Sequence, residues 1–208
     1  LVQNVETAED LKIHGERYHS QKLVEGENLT ICYDGREICK PLNFVVEQGE
    51  QTLLQGRNGC GKSSLIHLIL GDPIEYKGIL RVASGLRISY VSQDTSFLHG
   101  DLRELIRREE LDESLMKAIL RKLDFSRLQF EKPMESYSEG QKKKVLLARS
   151  LCQRAHLYIW DEPLNYIDVD SRIQLERLLT EYRPTMLLVE HDQAFAERVA
   201  TREIRMMA

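Results

Sequence analysis

Gly56-Arg57-Asn58-Gly59-Cys60-Gly61-Lys62-Ser63 is the stretch that decides the fold. Two glycines framing a four-residue gap, then a lysine and a hydroxyl, give the spacing of a loop whose backbone N–H groups cradle phosphates. The lysine reaches the outer phosphates and the hydroxyl meets a Mg²⁺ ion. Such a loop needs a strand before it and a helix after it. Gln51-Thr52-Leu53-Leu54 is a short β-like run leading into Gly56, and residues 63–70 read as a helix stopped by Gly71 and Asp72-Pro73. Strand, loop and helix stand in the required order.

Upstream, Leu23-Val24-Glu25, Leu29-Thr30-Ile31-Cys32-Tyr33 and Phe44-Val45-Val46 are further short β runs, separated by Asp34-Gly35 and Pro41. They predict a small antiparallel layer. Residues 1–22 are polar, with apolar positions too sparse for a core element, and read as a linker tail; residues 23–208 read as one domain. Downstream, residues 79–82 and 86–91 are strands. The charged stretch 95–135, in which Leu115, Ile119 and Leu123 fall four apart, reads as an inserted helical subdomain. Helices over 142–152, 171–182 and 193–200 then alternate with strands over 156–160 and 185–189. That alternation predicts a P-loop NTPase of the α/β class, with a mostly parallel sheet flanked by helices.

Composition narrows the function classes. The longest apolar stretch, Leu65-Ile66-His67-Leu68-Ile69-Leu70, is far short of the ~20 residues that a membrane helix needs, so no direct membrane insertion is expected. A net charge of −4 gives no bulk attraction to nucleic acid. Cys32, Cys39, Cys60 and Cys152 are scattered without a paired spacing, which disfavours zinc and predicts free thiols and a cytoplasmic location. Cys60 is read as a plain small side chain. The chain starts at Leu1 rather than Met and is read as a piece of something longer.

The candidate nucleotide-binding residues are Gly56, Asn58, Gly59, Gly61, Lys62, Ser63 and Ser64, with Lys62 on the β- and γ-phosphates and Ser63 on Mg²⁺. Asp161 and Glu162 end the apolar run Leu157-Tyr158-Ile159-Trp160, at the end of a strand where α/β sheets bind ligands. Adjacent side chains there point to different sides, so Asp161 is assigned to the metal and Glu162 to the water-activating base. A lone Asp-Glu pair would ordinarily be a solvated turn.

On these residues the chain resembles the nucleotide-binding domain of ABC proteins over almost all of 23–205. Tyr137-Ser138-Glu139-Gly140-Gln141 is similar to the family's LSGGQ signature, with Tyr137 in place of Leu and Glu139 in place of Gly. The resemblance implies ATP and Mg²⁺ as ligands and a second ATPase domain as partner. Ser138, Gly140 and Gln141 would then meet the γ-phosphate held by that opposite domain, with Glu139 adding a negative charge near it. It further implies that Gln93 touches the metal, that His191 contacts the γ-phosphate, that Asp168 lies in the D-loop and that Tyr33 stacks on adenine.

The wording Asp161-Glu162-Pro163-Leu164-Asn165-Tyr166-Ile167-Asp168, the Ser138 to Lys144 segment, Val189-Glu190-His191-Asp192 and the compact insert resemble ABC-F proteins of the antibiotic-resistance type. The resemblance implies the second ATPase domain of a protein acting on the ribosome. The alternative is the ATP-binding subunit of a transporter, docking on a membrane subunit. DNA-repair ATPases of this superfamily carry long coiled-coil or zinc insertions, which this sequence lacks. A degenerate, non-enzymatic module is disfavoured because Lys62, Asp161, Glu162 and His191 are all present. The run Lys142-Lys143-Lys144 is read as a solvated helix face, with an RNA patch as the lesser alternative.

Overall fold

The computed structural model describes Ile13 and residues 15–208; residues 1–12 and 14, most of the predicted linker tail, lie outside the described residues. In chain order the first half holds β1 (Lys22–Tyr33), β2 (Arg36–Glu37), β3 (Leu42–Glu47), β4 (Gln51–Gln55), α1 (Lys62–Ile69), β5 (Tyr76–Val82) and β6 (Ile88–Val91). Then come α2 (Leu102–Arg108), α3 (Glu113–Lys122), α4 (Arg127–Phe130), α5 (Glu139–Cys152), β7 (Leu157–Asp161), α6 (Val169–Tyr182), β8 (Met186–Val189), α7 (Gln193–Val199) and β9 (Arg202–Arg205). A short 3-10 turn at Met134–Ser136 precedes α5.

Strands β6-β7-β8-β4-β9 form a parallel sheet in that order, and β1 pairs antiparallel with β2, β3 and β5 in a second sheet. All five residues of β7 are buried, as expected for a central parallel strand covered on both faces. Alternation divides them. Leu157 and Ile159 join Leu65 and Ile66 of α1 and the antiparallel layer in one core, while Tyr158 and Trp160 join α5, α6, α7 and the helices of the 102–130 stretch in another.

The structure departs from the sequence reading in several places. The two runs flanking Glu27 are one strand, β1, with an irregular register between Gly26 and Leu29 and a left-handed Asn28 at φ 47°. The polar residues at that bulge hid its continuity. A Cβ on Gly26 would lie 2.2 Å from the Phe44 ring, so glycine is what lets Phe44 pack across the strand. β9 was not foreseen, because an edge strand with only Ile204 turned inward shows one apolar residue among charges. The segment before β1 also contributes to the core: Tyr18 is 7% exposed, its hydroxyl donates to the Ser84 carbonyl, and Glu16 N–H donates to the Ala155 carbonyl at 2.9 Å.

Two of the three lysines of the run do not form a solvated face. Lys143 and Lys144 are buried, and Lys144 pairs with Asp168 at 2.9 Å. The helix that carries them is fixed by a buried polar knot: Ser150 Oγ accepts from Trp160 Nε1 at 2.8 Å and lies 2.6 Å from Ser89 Oγ, which also donates to Gln153 Oε1. Ser150→Ala should leave the Trp160 N–H without a partner and cost ~1–3 kcal/mol. Urea unfolding would show this as a lower midpoint at unchanged slope.

Candidate functional site

Four neighbouring parallel strands deliver their C-terminal ends to one edge of the sheet, the ligand-binding edge of α/β folds. β4 runs into the glycine loop, β7 into Asp161-Glu162, β8 into Glu190-His191 and β6 into Ser92-Gln93. A cavity of about 310 Å³ opens there, lined by Asn58, Gly59, Gly61, Lys62, Ser63, Ser64, Gln93, Asp161 and Glu162 of the predicted set, with Ile38, Arg57 and Val189. A larger cavity of about 420 Å³ lies on the helical stretch, between Arg103, Leu120 and Phe130, and holds none of the predicted residues.

The loop itself is shaped for an anion. Helices α2 to α7 each have an Asp or Ser side chain accepting at their N-terminus, whereas α1 begins at Gly61, φ 98°, with no side-chain cap. Its first-turn N–H groups are left for a ligand, and the helix dipole favours a negative one. Gly56 is sterically required, since a Cβ there would sit 2.5 Å from Cys60 Sγ and 2.9 Å from the Met206 carbonyl. Lys62 is buried, its ammonium donating to the Gly56 carbonyl and, at 3.3 Å, to that of Arg57.

Asp161 is only 4% exposed, and burial raises its carboxyl above the ordinary value; a hydrogen bond from Gln93 opposes this, and Glu162 beside it adds to it. Ser63 Oγ lies 3.5 Å from Asp161 Oδ2. One buried carboxylate with a hydroxyl and an amide oxygen source is a hard-donor set that fits Mg²⁺, an ion held by few carboxylates plus phosphate oxygens. Among the described residues no cluster of three His, Cys, Asp or Glu forms a separate metal site.

Glu162 leaves the strand in the left-handed region, φ 51°, a conformation that costs a non-glycine residue about 1–2 kcal/mol. Its N–H still donates to the Val189 carbonyl at 2.8 Å. Glu162 Oε1 is 2.9 Å from His191 Nε2, and Oε2 accepts from Asn165 Nδ2 at 2.8 Å. Sequence reasoning missed Asn165. It also missed Glu190, whose carboxylate accepts from the N–H groups of Leu164, His191 and Asp192 and so shapes the turn that presents His191. Neither residue carries a spacing that marks it.

The remaining predicted residues stand apart from this cavity. Ser138 and Gln141 form a reciprocal capping box at the start of α5, at 3.2 and 2.8 Å. Gly140 is needed because a Cβ would lie 2.6 Å from the Tyr166 carbonyl, so the signature segment and the turn after Pro163 are packed together. The Glu139 carboxylate is held by the Thr95 hydroxyl at 2.7 Å and lies 3.6 Å from Lys142. Asp168 caps α6, accepting from Ser171 N and Oγ, and pairs with Lys144. Tyr33 is 71% exposed at the end of β1, but Ile38 rather than Tyr33 lines the cavity.

Comparison with known proteins agrees with this geometry. Residues 39–165 match the protein family described as ABC transporter. The chain belongs to this family of ATP-binding domains. The ABC domain is 33% identical over 188 residues to the probable ATP-binding protein YbiT of Escherichia coli O157:H7, covering 88% of this chain and 36% of that protein. It is 30% identical to the ribosome protection protein VmlR of Bacillus subtilis strain 168, covering 88% of this chain and 34% of VmlR. The chain thus spans about a third of the length of the curated relatives it matches. A solved structure of the ATP-binding subunit of an ABC transporter superimposes with a TM-score of 0.74 at 25% identity, covering 89% of this chain and 86% of the other. The α/β architecture is shared, and the family is one of ATPases.

Asp168 offers a test of how the α6 cap is held. Burial pushes its carboxyl up but is outweighed by hydrogen bonds from Lys144 and Ser171, which bring it down to about 2. The folded value lies below the ordinary one of about 3.9, so the stabilisation is complete above that and is lost as pH falls towards about 2. Asp168→Ala should cost about 1 kcal/mol at neutral pH, and the gap to the wild type should narrow below pH ~4. Urea unfolding at pH 7 and pH 3 measures both.

Proposed function

We propose that this chain is one half of a head-to-tail pair of ABC ATPase domains that binds and hydrolyses Mg-ATP. The observation that carries the reading is the Glu162 carboxylate, clamped between His191 and Asn165 beside the Asp161, Ser63 and Gln93 group. The first-turn N–H groups of α1 and Lys62 hold the phosphates. Asp161, Gln93 and Ser63 are the residues that would hold Mg²⁺, which when bound neutralises charge on the phosphate oxygens. A water attacks the γ-phosphorus, the bond to ADP breaks, and Glu162 takes the water's proton on a carboxylate oxygen that His191 and Asn165 keep in place. Tyr33, exposed above the loop's strand layer, is the adenine contact in this reading.

A cavity of about 310 Å³ lies at the small end of the range of ligand pockets, ~300–1,000 Å³, as suits a site completed by another domain. Ser138, Gly140, Gln141 and Asp168 lie outside it and form the face offered to the partner's nucleotide. Residues 23–208 act as the ATPase domain, onto which Glu16 and Tyr18 of the preceding segment pack, and the residues before them act as the tail of a linker. The parent protein is an ABC-F protein of the cytoplasm acting on the ribosome, a reading supported by the sequence wording and by similarity to a ribosome protection protein. No helix among the described residues is long and apolar enough to cross a membrane. The similarity to a transporter's ATP-binding subunit supports the alternative partner, a membrane subunit.

Two variants separate binding from turnover. Lys62→Ala should abolish ATP binding in calorimetry while the fold survives, because the loop backbone remains. Glu162→Gln should keep binding yet lower kcat by on the order of 10²–10⁴, as loss of a general base does. Wild-type turnover should rise with protein concentration, since the site is shared between domains.

The ribosome assignment is checked by co-sedimentation of the full-length Glu162→Gln protein with ribosomes. ATP-dependent pelleting is expected, whereas co-purification with a membrane subunit and no pelleting would establish the transporter alternative.

A further inference from the structure

Glu139 stands where the ABC signature has glycine, and its carboxylate is engaged rather than free. Thr95, 5% exposed, donates its hydroxyl to Glu139 Oε2 at 2.7 Å. Four residues on, and therefore on the same face of α5, Lys143 is 1% exposed and donates from its ammonium to the Ser92 carbonyl at 3.5 Å. Residues 92 and 95 bracket Gln93, which lines the candidate nucleotide cavity together with Asp161. The loop between them is internally tied, Ser92 Oγ donating to the Asp94 carbonyl at 3.1 Å and Ser96 N–H to Asp94 Oδ1 at 2.9 Å, so it responds as a unit.

We propose that Glu139 and Lys143 are positioning residues that fasten the Gln93 loop to the first turns of α5, so that what Gln93 contacts at its own nucleotide site sets the orientation of Ser138 and Gly140. The inference rests on the nucleotide reading given above. A glycine at 139 has no side chain to make this tie, so the replacement that departs from the signature supplies a second attachment point between loop and helix. Both attachment points are needed for direction. One contact would allow the loop to pivot about it, whereas two contacts on either side of Gln93 make loop and helix turn together. At the Lys143 attachment, burial lowers the pKa of the ammonium, and attraction to Asp161, Glu162, Glu190 and Glu139 opposes that.

Amide hydrogen exchange of the 208-residue chain with and without Mg-ATP tests the coupling without relying on turnover. In the wild type, Mg-ATP should slow exchange in the phosphate loop 56–64, in 92–96 and in 138–144. In Thr95→Val, which removes one hydroxyl and keeps the packing, slowing at 56–64 and 92–96 should persist while that at 138–144 is lost. Lys143→Met should behave the same way, and Glu139→Gln, which keeps an acceptor for Thr95, should retain all three. Equal slowing at 138–144 in the wild type and in Thr95→Val would overturn the coupling and leave nucleotide binding standing. No slowing at 56–64 in the wild type would overturn the nucleotide reading and the coupling with it.

Discussion

A carboxylate that is taken out of water needs charge or hydrogen bonds brought to it, and the arrangement around Asp161 follows from that requirement. It ends a fully buried strand, so its desolvation is built into the sheet. Gln93 lines the same cavity from the end of β6, Ser63 approaches from α1, and the buried Lys143 ammonium attracts it from α5. Each of these groups sits on a different element, so satisfying one carboxylate ties two helices, α1 and α5, and the loop after β6 to the end of β7. The same residue set offers oxygen donors to a divalent cation, which is why the energetic liability and the candidate chemistry coincide.

The helix termini divide labour in a way that bears on function. Among the described residues, six helices are closed by their own side chains and contribute packing, while α1 opens on a glycine loop. Capping would have satisfied those N–H groups at the expense of an anion site. At α5 the reverse choice is made: Ser138 and Gln141 close on each other, so the segment is rigid before any partner arrives. Gly140 then admits the Tyr166 carbonyl, and Lys144 ties the same helix to Asp168, so the signature segment and the turn at 165–168 form one surface.

Local strain sits beside this chemistry. Glu162 and Tyr166 both have positive φ, at 51° and 67°, within one turn of the chain. In the first conformation the Glu162 carboxylate is held by His191 and Asn165. The second brings the Tyr166 backbone against Gly140.

The glycine loop, the parallel strands and the Asp161-Glu162 pair were legible in the sequence because each depends on residue type at fixed local spacing: glycine for close approach, period-2 burial for strands, a carboxylate at a strand end. The alternation of elements was enough to fix an α/β sheet, and helix cores such as Leu115 and Ile119 announced themselves by periodicity. Single-sequence periodicity failed where burial is not written locally. The edge strand β9, the bulged continuity of β1 and the docking of Tyr18 depend on partners more than fifty residues away or on irregular register. The lysine run shows the limit most plainly, because three adjacent cations look solvated until Asp168, Ser92 and the carboxylates at the sheet edge are brought to them. Sequence determined which groups could bind a nucleotide; only the tertiary structure decided that His191 would hold Glu162 and that Thr95 would hold Glu139, since hydrogen bonds across 29 and 44 residues exist only once strand order has placed their elements side by side.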